Sequence, residues 1–493
     1  MLIYFFLLFF IYNLYIGWVN SEEMTNRTMV EKARKLLQNG QVKWVQGHFV
    51  DILGNLQVFS IPVKTYLQEN IWNEGIGFDG SSIKGFVSVE NSDMIARPDP
   101  ETIILLPWLF KGDRARVVMD VLSVSSQDYF SGDPRHIARR SFNLVQNMGY
   151  DHIELSPELE FYAFKSSSIP NTTHDELSTL LQGEEPIPKG KHPVLGLKEK
   201  EGYFASPPID SAESFRNKLS EALISAGVEV KYHHHEGGAW QQEIEIQAIP
   251  DPVKAGDASL FFKFLAKIMG SMSDLLITFM PKPLPTDAGN GMHVHMELFK
   301  KNKSVFYDKD DPYFLSQTAR YFIGGILDHA KGMTAVTNPT TNSYKRLVPH
   351  YEAPINIAWA FYNRSSLIRI PNRAGTTDSI NVEARHPDPS ANPYVTFAVL
   401  IHAGIDGIKK KIDPGDPVEK NIYAMEKREL KKFNIQRLPR TLHEALDEFE
   451  TDTVIQQALG SHAAQAFMDI KLQEWREFLS QVSTWDYRKY FNV

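Results

Sequence analysis

Glu158-Leu159-Glu160 is the first place where this sequence looks built for chemistry. Two carboxylates at spacing two leave a strand on the same face. Their surroundings, Ile153, Leu155, Phe161 and Phe164, are apolar, which argues against a solvated acidic face. Carboxylates crowded away from water are costly unless a cation neutralises them. A second acidic group follows in His233-His234-His235-Glu236, Glu243 and Glu245. Three consecutive histidines invite a zinc reading. Strand neighbours point to opposite faces, however, and tetrahedral zinc needs ligands converging from separate positions. Glu236 and Glu243, at opposite ends of the Gly237–Trp240 connection, are the better candidates, and Glu245 shares the face of Glu243 on a regular strand. In Gly289-Asn290-Gly291-Met292-His293-Val294-His295, two glycines allow close backbone approach, and His293 and His295 share one strand face. Glu383 lies on a further strand with Arg385 on its own face.

Five glutamates and one histidine on five strands form a hard, oxygen-rich donor set. That set suits Mg²⁺ or Mn²⁺ better than zinc or copper. Six ligands exceed the need of one magnesium ion, so two or three ions are expected. Ions held this way commonly bridge nucleotide phosphates. Arg346, Arg364, Arg369, Arg373 and Arg385 fall within one 40-residue stretch of an acidic chain. Guanidinium forks bind phosphate and carboxylate bidentately. Arg364 and Arg369 flank Leu367-Ile368, so burial of one or both is expected. The sequence holds no Walker-type loop, no Gly-x-Ser-x-Gly elbow and no kinase His-Arg-Asp segment. Any ATP would therefore be held by metals and arginines.

Positioning these residues requires strands and helices in irregular alternation. Strands are predicted at 42–50 and 56–63, joined by a turn at 51–55, and again at 115–121. Residues 41–125 thus read as a small, mostly β domain. A larger domain is expected over 133–493, with strands near 152–164 (broken at Pro157), 228–235, 242–249, 292–299, 367–370 and 380–385. Helices are predicted at 136–148, 211–226, 252–272 and 313–331, and the chain beyond Pro393 reads as mostly helical. Residues 166–203 read as an exposed excursion. The alternation lacks βαβ regularity, so the fold class is α+β.

The 493 residues carry a net charge of −8, which implies no general attraction to nucleic acid. With no cysteine, disulfides, Cys-ligated zinc and thiol catalysis are all excluded. Residues 2–19 are uncharged and apolar, long enough for a signal peptide or anchor, but no Lys or Arg precedes them. Residues 1–21 are accordingly set apart as signal-like or untranslated, Met24 and Met29 being alternative starts. A cytoplasmic address is the expectation, with secretion or anchoring as the alternative.

Several segments, in order, resemble class I (bacterial-type) glutamine synthetase: Phe78-Asp79-Gly80-Ser81-Ser82-Ile83, Pro157–Phe161, His234-His235-Glu236, Gly291-Met292-His293, Asn338–Pro349, Tyr351–Pro354 and Pro387–Tyr394. The resemblance covers about residues 29–493. It implies an N-terminal β-grasp domain, a catalytic domain on an antiparallel sheet with helices, and a dodecamer of two hexameric rings with sites between subunits. It implies ATP-dependent ligation of ammonia to L-glutamate through γ-glutamyl phosphate. By the same resemblance Glu160, Glu236 and Glu243 hold one metal, and Glu158, His293 and Glu383 the second. Asp79 and Ser82 match the ammonium site, Gly289 the glutamate loop, and Arg346 and Arg385 the contacts to glutamate and phosphate. His295, Arg364 and Arg369 match the ATP-phosphate side, and Glu352 the carboxylate of a closing flap. Asp79, Glu352 and Arg364 are the catalytic set so implied.

The chain departs from that pattern at Ala288, usually Asn, at Asn381, usually Arg, and at Glu297, usually a small hydroxyl residue. The Gly237–Trp240 connection is also atypical. Tyr423 resembles a tyrosine adenylylated in some members, but Ala424-Met425-Glu426 does not support that modification here. Two other readings stay open: a ligase joining glutamate to a larger amine, and a non-catalytic structural relative.

Overall fold

The computed structural model describes residues 26–493 except 69, 166–199, 350–352, 372–377 and 434. The apolar N-terminal segment, Glu352, Arg373 and most of the expected excursion therefore lie outside the described residues. The chain divides into two compact units, one running to Asp51 and resuming over Leu56–Phe130, the other comprising Ile52–Asn55 and Ser131–Val493.

The first unit holds β1 (Trp44–Val50), β2 (Leu56–Pro62), β3 (Ile76–Asp79), β4 (Asp93–Pro98), β5 (Ile104–Leu105) and β6 (Arg114–Ser123). The strand order is β2-β1-β6-β4-β3, with β5 on β6. β1 and β6 run parallel and the other pairs antiparallel. Ala33 and Leu37, from the helix over residues 26–39, join Val45, Phe49, Val117 and Met119 in its core. β3 and β4 were not foreseen. They are short, and burial on β3 falls on half-exposed positions, so alternation gives little signal there.

The second unit is built on β7 (His152–Lys165), β8 (Val230–His235), β9 (Gln241–Ile246), β10 (Leu275–Thr278), β11 (Met292–Lys300), β12 (Lys303–Ser304), β13 (Asn356–Ala360), β14 (Ser366–Arg369), β15 (Val382–Ala384) and β16 (Gln436–Arg437). The order is β16-β13-β14-β15-β11-β7-β9-β8. The sheet is antiparallel save for the parallel pair β13–β14, so it is mixed.

Helices Pro134–Asn147, Pro252–Met272 and Pro393–Lys410 pack on one another. Each starts the same way: Asp133, Asp251 or Asn392 caps the first turn through its side chain, and proline follows at the first helical position. The capping oxygen satisfies otherwise orphaned N–H groups, and proline has none to satisfy. Ile153, Leu155, Val294, Met296 and Leu298 share one hydrophobic core with Ile137, Val145, Phe397 and Val399. One sheet face is thus apolar and covered by helices. Strand alternation sends Glu158, Glu160, His293 and His295 to the other face.

β7 is continuous where two strands were expected. Pro157 lies inside it, at a point where the ladder to β9 slips: Glu158 faces Glu245, whereas Leu155 faces Ile249. Proline lacks an N–H to donate, and a bulge is where that loss is tolerated. The Ser156 hydroxyl donates to the Ile246 carbonyl across the gap at 2.6 Å. The helix expected over 313–331 instead runs over Gln317–Asp328, and a second, Ala330–Thr337, follows after His329.

Candidate active site

Three ladder registers assemble the site. Glu160 lies opposite Glu243. Glu158 lies between Glu245 and His293. His295 lies opposite Glu383, which lies opposite Arg369. Successive rows are two residues apart, so all three present their side chains on the same face.

Three sets of donor atoms lie close enough to share an ion: Glu158, His295 and Glu383; His234, Glu236 and Glu243; and Glu158, Glu243 and Glu245. The pairing differs in part from the sequence-based grouping. His295 Nε2 lies 2.6 Å from Glu158 Oε1. His293 sits between the groups, 2.9 Å from Glu158, 3.8 Å from Glu160 and 3.8 Å from Glu383. Glu160 is committed elsewhere, its Oε2 accepting from Gln241 Nε2 at 2.6 Å and from the Gly291 N–H at 2.9 Å. Gly291 is required by space: a Cβ there would stand 2.8 Å from both Arg346 and His293 and 3.0 Å from Glu160.

The electrostatics fit a cation site. Burial, reinforced by the charge of Glu236, pushes Glu160 up to about 8. Burial and the charges of Glu158 and Glu160 push Glu243 well above the usual carboxylate range. Burial would raise Glu158 too, but His295 and His293 hold it well below that range. Burial opposes protonation of His295, yet the Glu158 charge and hydrogen bond carry it up to about 9. Burial thus drives Glu160 and Glu243 toward their protonated forms. That state is what a buried surplus of negative charge produces when no metal offsets it. Carboxylates with imidazole form a hard donor set, so the residues present fit a divalent cation.

Arginines border the carboxylates. Arg369 and Arg385 each place an NH1 2.6 Å from Glu383, on opposite oxygens. Arg385 is 3% exposed, and its Nε finds no hydrogen-bond partner among the described residues. Arg346, also buried, donates to the carbonyls of His386 (2.7 Å) and Arg385 (3.2 Å). Arg364 is exposed, so of the two arginines flanking Leu367-Ile368 only Arg369 is half-buried. The loop carrying Ala288 and Gly289 is held by Tyr162, whose hydroxyl donates to the Ala288 carbonyl at 2.7 Å, and by Gln241 Nε2 on the Gly289 carbonyl at 3.1 Å.

In the first unit, Asp79 is exposed and receives three hydrogen bonds: from the Ser81 N–H (2.9 Å), the Ser81 hydroxyl (2.6 Å) and the Ser82 hydroxyl (2.7 Å). These bonds, chiefly those from Ser81 and Ser82, hold its carboxyl below the usual range.

Residues 131–490 match the family described as "Glutamine synthetase, catalytic domain", and residues 41–124 match "Glutamine synthetase, beta-Grasp domain". The chain belongs to the glutamine synthetase family. It is 39% identical over 481 residues to a glutamine synthetase of Archaeoglobus fulgidus, covering 94% of this chain and 98% of that one. It is 40% identical over 460 residues to a glutamine synthetase of Thermus thermophilus, covering 92% and 97%. Among solved structures, the Plasmodium falciparum glutamine synthetase superposes with a TM-score of 0.80 at 27% identity, covering 94% of this chain and 98% of that one. A complex titled GmaS/ADP superposes with a TM-score of 0.79 at 27% identity, covering 93% and 99%. As a glutamine synthetase family member the chain is an enzyme, a ligase of the class that uses ATP and a divalent metal.

Two contributors to this glutamine synthetase site escaped the sequence reading. His234 was discounted with its neighbours, yet the β8–β9 register sets it opposite Glu243, 3.5 Å away. Tyr203 was read as part of an exposed excursion. It stacks on Phe204, meets the His234 ring edge-on, and senses the charges of Glu236, Arg364 and Glu243. The aromatic pair Tyr203-Phe204, standing just before the helical segment, was the available signal.

Proposed function

We propose that this chain joins ammonia to L-glutamate at the expense of ATP, through γ-glutamyl phosphate, releasing glutamine, ADP and phosphate. The observation that carries this reading is the face of β7, β9, β11 and β15, where Glu158, Glu160, Glu243, His293, His295 and Glu383 converge beside Arg346, Arg369 and Arg385. Two or three Mg²⁺ or Mn²⁺ ions are the proposed cofactors, with Glu236 and Glu243 on one and Glu158 and Glu383 on another. When bound, such ions offset the charge on the transferred phosphoryl oxygens.

The chain's own residues supply the rest. Arg369 and Arg385 keep N–H groups beyond those spent on Glu383, and the unpartnered Nε of Arg385 suits a phosphate or carboxylate oxygen. Arg346 and the Gly289 loop bind glutamate in this reading, and the exposed Arg364 meets phosphate. Asp79, ionised and braced by Ser81 and Ser82, attracts ammonium in this reading to the Glu352 of an adjacent subunit. Its low pKa suits it to hold a cation, and taking a proton from ammonium requires those hydrogen bonds to loosen. Exclusion of water by the flap protects the acyl phosphate from hydrolysis.

The domains proposed are 41–125 and 133–493, and the assembly proposed is a dodecamer of small-molecule-using subunits. Exposed Phe478, Leu479, Val482, Trp485 and Phe491 near the C-terminus support association, because many large apolar side chains left to solvent in one stretch of chain favour burial against a partner. No helix among the described residues is long and apolar enough to cross a membrane. A cytoplasmic address is proposed, and the mass of the mature amino terminus tests it.

The test of function is phosphate release from ATP with glutamate, Mg²⁺ and either ammonium or alkylamines. Ammonium is expected to support turnover, and a response to amines alone overturns the reading. Asp79→Ala is expected to abolish ammonium-dependent synthesis and leave metal binding intact.

A further inference from the structure

Two of the positions where this chain departs from the family pattern, Glu297 and Asn381, meet in one buried network. Glu297 follows His295 by two residues on β11 and is 3% exposed. Its two oxygens are taken by the segment entering β15: Oε2 accepts from the Ser379 hydroxyl at 2.7 Å, and Oε1 from the Ile380 N–H at 2.9 Å. The next residue, Asn381, is 7% exposed, and its Oδ1 lies 3.0 Å from His295 Nδ1. The other nitrogen of His295 reaches Glu158. A single chain of contacts therefore runs from Glu297 through residues 379–381 to an imidazole of the site.

We propose that Glu297 and Asn381 form a paired positioning device that holds the His295 ring with Nε2 on Glu158, within the donor set where metal and nucleotide phosphate would meet. The physical case is one of satisfaction and geometry. A buried N–H at Ile380 needs an acceptor, and a shorter side chain at 297 would leave it without one. With both Glu297 oxygens engaged, the backbone at 380 is fixed, and the Asn381 amide is delivered to His295 Nδ1. An imidazole with one nitrogen held by an amide oxygen keeps a fixed ring orientation for its other nitrogen. Neither Glu297 nor Asn381 touches substrate in this account; both act through His295.

This inference rests on the ATP-dependent reading above. It is tested by calorimetric binding of Mg²⁺–ADP to the full-length protein, with steady-state turnover measured in parallel. Glu297→Ala and Asn381→Ala are each expected to weaken ADP binding on the order of tenfold or more. The KM for glutamate should stay within about twofold, a split that general loosening of the fold would not give. Because both act through one imidazole, the double variant should bind ADP no more weakly than the worse single variant. Glu297→Gln, which keeps an acceptor for Ile380, should recover much of the affinity. Should Glu297→Ala not fold, Ser379→Ala removes a single hydrogen bond and serves in its place, with a smaller loss that vanishes in the Asn381→Ala background. Additive losses, or ADP binding in every variant like that of wild type, overturn the inference while leaving the reaction standing. A wild type that binds ADP but releases no phosphate overturns the reaction and not the positioning device.

Discussion

His295 and His329 are both imidazoles set between largely buried carboxylates, yet they belong to regions of opposite character. His329, at the break between helices Gln317–Asp328 and Ala330–Thr337, places Nδ1 2.8 Å from Asp452 and Nε2 3.1 Å from Asp406. Each carboxylate there has a second duty. The other oxygen of Asp452 caps the helix Thr453–Leu459, and Asp406 also pairs with Lys410 at 2.8 Å. The two aspartates lie on opposite ring nitrogens, so they cannot converge on one ion. Charge is balanced and every group is used. Around His295 and Glu160, by contrast, carboxylates outnumber nearby cations, and three donor sets converge. The same residue types make a structural clamp in one place and a ligand cage in the other; the difference lies in surplus charge and convergence.

Neutralising the cage should hurt most. Glu160→Gln and Glu243→Gln are expected to lower turnover by on the order of a hundredfold or more, as phosphate release will show. Both should leave the melting temperature of metal-free protein unchanged or raised, since burial already drives each carboxyl toward its neutral form there. A marked fall would make the cage structural after all. In the clamp the effects reverse. His329→Leu leaves two buried carboxylates without their shared partner and is expected to cost about 3–5 kcal/mol in stability. Turnover per folded molecule should stay within about twofold.

The clamp also carries a pH signature. Burial alone would lower the pKa of His329, but its hydrogen bonds to the Asp452 and Asp406 carboxylates raise it. A raised folded-state pKa gives stability that is fully present below the unfolded value, about 6.5, and lost as pH rises through the folded value. The difference in melting temperature between wild type and His329→Gln should therefore shrink as pH is raised above about 6.5; a constant difference would contradict the clamp. The smallest expected effect is that of Ser156→Ala, about 1 kcal/mol for one hydrogen bond across the bulge at Pro157.

Much of the cage was legible because strand parity is written in the sequence. Glu158 with Glu160, and His293 with His295, had to share a face whatever their partners. Which strand lay beside which was not written. Ladder register alone placed His234 opposite Glu243 and His295 opposite Glu383, and so shifted the grouping of donors. Pro157 misled for a related reason: a strand breaker by composition, it is accommodated by a slip in the neighbouring ladder that no local pattern announces. The parallel pairing of β13 with β14, joined by residues 361–365, was not legible either, because the resemblance implied an antiparallel sheet. The Asx-Pro starts of the three packed helices were plainer, being local chemistry from beginning to end.

The two arginines gripping Glu383 have a consequence for loading. Guanidinium groups are permanent counter-charges, so the donor set that includes Glu383 is already partly paid off before any ion arrives, whereas in the other set Glu243 feels chiefly the like charges of its neighbouring carboxylates. An ion entering the first gains less than one entering the second. The two positions should fill in sequence as free divalent cation rises, the unbraced one staying occupied through ordinary fluctuations and the arginine-braced one following supply.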